Sequence, residues 1–123
     1  MGSSNEVTIL LDTNMLISIF KFRIDLESEL ERIFGTFKIR VPPIVKKELL
    51  RMNSSEAKAA LDYIKDKEID LKSEGKSADE VMLSMAKKYD FYVATNDREL
   101  RKKAKENNIK TIFLRKKRVM AVD

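Results

Sequence analysis

Short apolar runs alternate along the chain with segments of helical periodicity. Strands are predicted for the apolar runs Val7–Leu11, Phe91–Thr95 and Thr111–Leu114, and for the alternating segment Phe37–Val41. A shorter apolar run, Ile69–Leu71, predicts one more strand. Because helical segments separate the strands, the order predicts an α/β fold with a mostly parallel sheet whose last strand is Thr111–Leu114.

Helix start and stop signals divide the intervening segments. Gly35 is expected to end a helix that carries Leu26 and Leu30, and Ser77 with Glu80 forms a predicted capping box. The predicted helices are Asn14–Phe22, one over 26–34, Ile44–Met52, one capped by Ser54 or Ser55, one that begins after Ser77, and Arg98–Glu106.

The 123 residues predict a single domain over 1–123, with residues 1–5 flexible and 115–123 a basic C-terminal end. No run of 18 apolar residues and no secretory signal is found, so a cytoplasmic location is expected. Lys and Arg number 25 against 20 acidic residues, a net charge of +5. This charge favours a polyanionic partner such as nucleic acid, and a highly charged soluble surface is the alternative interpretation.

The absence of Cys and His excludes several kinds of site. Disulfides, thiolate zinc sites, histidine bases and Ser-His-Asp triads all need residues that this chain lacks. No glycine-rich phosphate loop is present either. Any metal would therefore be held by oxygen ligands, which points to Mg²⁺ or Mn²⁺.

Four acidic residues are candidates for such a site. Asp12 and Asp97 each directly follow a predicted strand, and the carboxyl ends of parallel strands lie at one edge of a sheet. Each of them alone is better explained as a polar residue that ends a strand or caps a helix, but two such strand ends, each followed by a helix, make coincidence less plausible. Asp79 lies in a first helical turn, where the macrodipole by itself favours an acid. Its functional interpretation depends on this helix start lying beside Asp12 and Asp97.

Glu48 stands among mostly apolar helical neighbours, and a carboxylate there needs a cation or hydrogen-bond donors. Arg51, one turn later, is the structural alternative. If the four acids meet, one or two divalent cations would neutralise their repulsion. Those cations would lower the pKa of a bound water and hold a phosphodiester for in-line attack.

Four short motifs together resemble the PIN-domain nucleases, over nearly the whole chain. They are L-L-D-T-N-M-L at Leu10–Leu16, V-P-P-I-V-K-K-E-L at Val41–Leu49, S-A-D-E-V-M-L at Ser77–Leu83 and V-A-T-N-D-R-E-L at Val93–Leu100. Two further stretches, Phe20–Ile33 and Ile112–Arg118, resemble the archaeal single-domain relatives of PIN nucleases that process small-subunit rRNA.

The resemblance implies a three-layer fold with a central parallel sheet of four or five strands flanked by helices. It also implies metal-dependent endonucleolytic cleavage of RNA, with pre-rRNA as one expected target. The implied catalytic and metal-binding residues are Asp12, Glu48, Asp79 and Asp97, and the implied supporting residues are Thr13, Asn14 and Thr95. Glu80 stands where the rRNA-processing group tends to have a second aspartate, so this chain keeps a carboxylate at that position.

Two basic clusters are predicted to bind the RNA backbone. They are Arg98, Arg101, Lys102 and Lys105, which share a helical face, and Arg115, Lys116, Lys117 and Arg118. A solvated face and a disordered end are the alternatives. Three other functions stay open: the PIN toxin of a toxin–antitoxin pair, a non-catalytic RNA-binding or assembly domain, and a structure-specific DNA nuclease. A homodimer is a further open expectation.

Overall fold

The structure, a computed structural model, describes residues 6–123, so the flexibility predicted for residues 1–5 lies outside the described residues. Its elements in chain order are β1 (Val7–Leu11), α1 (Thr13–Lys21), α2 (Leu26–Phe34), β2 (Phe37–Arg40), α3 (Pro43–Arg51), α4 (Ser55–Tyr63), α5 (Ala78–Tyr89), β3 (Tyr92–Ala94), α6 (Arg98–Glu106), β4 (Thr111–Arg115) and β5 (Val119–Val122).

The strands form one sheet in the order β2-β1-β3-β4-β5. All neighbouring pairs are parallel except β4 and β5, which are antiparallel. The chain leaves β1 for β2 on one side and later enters β3 on the other side, where Leu11 lies opposite Ala94. This reversal is a topological switch point, and open α/β sheets bind ligands in the crevice beyond the carboxyl ends of the strands at such a point.

Burial along β1 shows that helices cover both faces of the sheet. Successive strand residues point to opposite faces, yet Ile9, Leu10 and Leu11 are all fully buried. The predicted three-layer α/β architecture is therefore confirmed. Within residues 6–123, no helix has both the length and the apolar character needed to cross a membrane.

The strand predicted over Ile69–Leu71 is wrong. The residue before it, Glu68, forms one isolated parallel bridge with Val41, and the Ile69 N–H donates to the Val41 carbonyl at 3.0 Å. Asp70 and Lys72 are exposed on either side of Leu71. The segment therefore has too few apolar positions to extend the sheet beyond this single bridge.

Thr111–Leu114 does lie in a strand, β4, but the prediction that it is the last strand is wrong. Residues 115–118 form a tight turn, closed by the Arg118 N–H on the Arg115 carbonyl at 3.0 Å, and β5 returns along β4. Lys116 and Lys117 adopt the left-handed region, with φ of 52° and 58°. The basic end is therefore the tip of a β-hairpin, with its turn at the carboxyl end of β4.

Candidate active site

All four predicted acids line one cavity of about 330 Å³. Asp12 follows β1 and Asp97 follows β3, so both lie at the switch point, while α3 supplies Glu48 and α5 supplies Asp79. The complete lining is Asp12, Thr13, Asn14, Glu48, Arg51, Met52, Ala78, Asp79 and Asp97. Residues far apart in the sequence are thus brought together by the sheet topology, by the last part of α3 and by the first turn of α5.

Asp12 ends β1 and caps α1. Its Oδ1 accepts a hydrogen bond from the Met15 N–H at 2.6 Å, and the residue is only 6% exposed. Burial raises the pKa of its carboxyl group to about 6, hydrogen bonds from Thr95 and Met15 oppose the rise, and the charges of Asp79 and Asp97 add to it. Asp12 is therefore a carboxylate whose ionised form is costly without a nearby cation.

Asp97 follows β3 and caps the N-terminus of α6 in the same way. Its Oδ1 accepts from the Glu99 N–H at 2.9 Å and from the Leu100 N–H at 3.3 Å. The Asp97 N–H in turn donates to the buried Thr95 hydroxyl at 3.0 Å. Because the Thr95 hydroxyl also lowers the pKa of Asp12, Thr95 acts on both strand-end acids from outside the cavity lining.

Glu48 is held by Thr13. The Thr13 hydroxyl donates to Glu48 Oε1, which links the first residue of α1 to the last part of α3. Arg51, the alternative partner expected from the spacing, forms no ion pair with Glu48 in residues 6–123. A hydroxyl donor rather than a positive charge therefore orients this carboxylate at the cavity.

Asp79 is positioned by the capping box of α5. Ser77 Oγ accepts from the Glu80 N–H at 3.1 Å, and Glu80 Oε1 accepts from the Ser77 N–H at 3.2 Å. Burial raises the pKa of the Asp79 carboxyl, and the negative charge of Asp97 raises it further. The positive charge of Lys103 lowers this pKa, and the charge of Glu48 adds a smaller rise. The acids therefore act on one another across the cavity.

The structure separates the predicted supporting residues by position. Thr13 and Asn14 line the cavity, whereas Thr95 lies behind Asp12. Sequence reasoning missed Met52 and Ala78, which complete the lining, and it missed Lys103, whose charge acts on Asp79. Lys103 lies off the helical face that links Arg98 to Lys105, so periodicity gave no signal for it.

The donor set fits a hard divalent cation. Each of the four acids at the cavity offers carboxylate oxygens, and burial, followed by repulsion from the other acids, raises the pKa of Asp12 and Asp79. Within residues 6–123 no three acidic side chains already form a compact coordination cluster. Mg²⁺ typically uses one or two carboxylates and keeps waters or substrate oxygens as its other ligands.

Gly75 gives a test of how α5 is positioned. At its φ of +120° an added Cβ would lie 2.5 Å from the Glu80 Cβ and 3.0 Å from the Val81 nitrogen. We expect Gly75→Ala to destabilise the protein by roughly 1–3 kcal/mol, because the backbone strain is joined by a clash with the first turn of α5. Urea unfolding measures the loss.

Gly35→Ala is the matched control, because φ there is +76° but nothing lies within 4 Å of the added Cβ. It should carry the backbone cost alone. Equal losses of stability in the two variants would show that contact with α5 does not constrain position 75.

Comparison with known proteins identifies the family: a family model described as PIN like domain matches residues 9–117. The chain belongs to this family.

One relative is Ribonuclease VapC4 of Methanocaldococcus jannaschii, which is 35% identical to this chain in an alignment that covers 93% of this chain and 95% of the relative. Ribonuclease VapC9 of Archaeoglobus fulgidus is 30% identical, covering 99% and 94%. The structure of the PIN domain endonuclease Utp24 superposes with a TM-score of 0.82 at 20% identity, covering 94% of this chain and 90% of that one. This last likeness concerns the fold alone.

Proposed function

We propose that this chain is a metal-dependent endoribonuclease that hydrolyses phosphodiester bonds of RNA. The observation that carries the proposal is the convergence of Asp12, Glu48, Asp79 and Asp97 on one cavity at the sheet's switch point. The ribonuclease names of two relatives that match nearly the full chain support RNA as the substrate.

Asp12, Glu48, Asp79 and Asp97 would hold the Mg²⁺ or Mn²⁺. When bound, one or two such ions activate water and stabilise the negative charge of the reacting phosphodiester. The chain's own residues prepare the site for this chemistry. Thr13 orients Glu48, Thr95 holds Asp12 and Asp97, and the N-termini of α1 and α6 place partial positive charge beside these acids.

Three residues of the predicted α6 cluster, Arg98, Lys102 and Lys105, are exposed. Arg101 is instead half-buried, pairs with Asp123 at 3.1 Å and stacks on the Phe113 ring at 4.0 Å. The hairpin tip 115–118 is exposed and follows the carboxyl end of β4, the edge of the sheet that also holds the acids. That both clusters contact RNA stays a prediction, which the placement of the hairpin supports.

For the cellular role, we propose the toxin ribonuclease of a toxin–antitoxin pair over a pre-rRNA processing enzyme. The two VapC ribonucleases match at 30–35% identity over nearly their full lengths, whereas the Utp24 likeness is one of fold. Growth arrest on expression, relieved by an Asp97→Asn substitution, would support the toxin role. Unharmed growth together with altered rRNA precursors would favour processing. A homodimer and a cytoplasmic location are kept as expectations.

Metal removal tests the proposed activity. Protein stripped of divalent ions with a chelator should not cleave a labelled RNA, and Mg²⁺ or Mn²⁺ added back should restore cleavage, because the acids that line the cavity need a cation to activate water. A contaminating nuclease is controlled for by purifying Asp97→Asn protein in parallel. Full cleavage in excess chelator would contradict metal dependence. Metal-independent RNA binding without any cleavage would favour a non-catalytic domain.

A further inference from the structure

A second cavity, of about 360 Å³, opens beside the acidic one. Its lining is Ile44, Lys47, Glu48, Arg51, Lys76, Ser77 and Ala78. Glu48, Arg51 and Ala78 belong to both cavities, so the two form one continuous groove between α3 and the start of α5. The acidic half of the groove therefore continues directly into a half whose exposed charges are positive.

Three cations define this second half. Lys47 and Arg51 stand four residues apart on α3 and so share one face of the helix. Lys76 lies across the groove, where its backbone N–H donates to Glu80 Oε1 at 3.0 Å and holds the loop against α5. All three are exposed, and within residues 6–123 none of them forms an ion pair with an acid.

These side chains, rather than the backbone N–H groups at the N-terminus of α5, are the groups available to bind an anion. The N–H groups of Lys76 and Ser77 are already taken by the Glu80 carboxylate, and the Glu80 N–H by Ser77 Oγ. Glu48, the acid on the shared wall, is engaged by Thr13. The second cavity therefore offers three positively charged side chains that form no ion pair within residues 6–123, next to the proposed site for a phosphodiester.

We propose that the second cavity binds a backbone phosphate of the RNA strand adjacent to the bond that is cut. The inference rests on the proposed function, since a strand whose phosphodiester sits among the acids must continue along the groove. Lys47, Arg51 and Lys76 would neutralise the neighbouring phosphate and fix the position of the strand. Neither basic cluster predicted from the sequence contains these residues.

The double variant Lys47→Gln/Lys76→Gln, called the groove variant below, tests the proposal, because both lysines line the second cavity and not the first. Its matched control is Lys88→Gln/Lys110→Gln. These exposed lysines precede β3 and β4, at the opposite edge of the sheet, and carry the same charge change. Both variants alter only exposed side chains and should fold normally.

Binding of a fluorescent oligouridine RNA is measured in chelator over a range of salt concentrations. The slope of log affinity against log salt should become shallower by up to about 0.7 in the groove variant, the change for one lost phosphate contact to a single strand, and stay at the wild-type value in the control. With metal restored, KM for RNA cleavage should rise while kcat stays near wild type, since the lost contact serves binding.

An unchanged slope and an unchanged KM in the groove variant, with wild-type protein cutting RNA, would overturn the phosphate subsite alone. Failure of the wild type to cut RNA with metal restored would overturn the proposed function, and the subsite with it. Equal losses in the groove variant and in the control would show a general charge effect and would also refute the subsite.

Discussion

Asp97→Asn is expected to lower the rate of RNA cleavage by at least about 100-fold, because loss of a residue that supports a metal ligand already costs 10- to 100-fold. RNA affinity should stay nearly unchanged, since binding is assigned to basic residues. The fold should also survive. Asparagine caps helices as well as aspartate does and keeps an oxygen for the Glu99 and Leu100 N–H groups.

Asp90→Asn is the matched control for this experiment. Asp90 is exposed, adopts the left-handed region with φ of 59° and ends α5 just before β3, at the sheet edge opposite Asp97. Asparagine tolerates that backbone conformation, so the variant should fold and cleave like wild type. Single-turnover cleavage and oligouridine binding separate the two effects. Wild-type rates in the Asp97 variant would remove this residue from the catalytic site.

Asp12→Asn is expected to stabilise the metal-free protein at neutral pH while it abolishes cleavage. The pKa of Asp12 is about 6 in the folded protein against 3.8 for an unperturbed aspartate. Between these values the folded state binds more protons than the unfolded state, so the free energy of unfolding falls as pH rises. The fall should reach about 3 kcal/mol by pH 7, and asparagine, which does not ionise, removes it.

Urea unfolding in chelator, from about pH 4 to pH 7, measures this effect. Wild-type stability should decline across the interval relative to Asp12→Asn, and the two proteins should converge at the acidic end. Added Mg²⁺ should recover stability in wild type only, because the ion binds the folded acids. Parallel stability curves for the two proteins in chelator would contradict the cost assigned to the ionised, buried Asp12.

Most helices and strands could be predicted because each carries a local signal. The consecutive apolar residues Ile9, Leu10 and Leu11 reflect the cover on both faces of β1, and Ser77 with Glu80 forms the capping box that begins α5. The β4–β5 hairpin carried no such signal. Its turn places Lys116 and Lys117 at positive φ, where Asn-Gly or Asp-Gly is the usual sequence.

The strand-end acids show why two interpretations of one residue need not compete. Asp12 and Asp97 were each open to explanation as a helix cap, and both do cap helices. The same placement puts them at the switch point, so the capping position and the cavity position coincide. For Glu48, the spacing suggested Arg51 as partner, whereas the partner is Thr13, 35 residues away in the sequence. No local pattern could have identified that contact.

The grouping of the three basic residues of the second cavity depends still more on tertiary structure. Lys47 and Arg51 share a helical face that the sequence shows, but Lys76 joins them only through the loop that packs on α5. The α6 cluster illustrates the converse. Arg101 shares a face with Arg98 and Lys105, yet it pairs with Asp123 after β5, an element that the sequence did not predict.

Identification of the RNA product ends tests the central claim most directly. Hydrolysis by water adds oxygen to phosphorus and breaks the bond to the 3′ oxygen, which takes up a proton. One fragment should therefore carry a 5′-phosphate and the other a 3′-hydroxyl, in reactions that need Mg²⁺ or Mn²⁺ and that Asp97→Asn protein does not catalyse. A 2′,3′-cyclic phosphate would instead show attack by the RNA's own 2′-hydroxyl, and would contradict metal-assisted hydrolysis at these four acids.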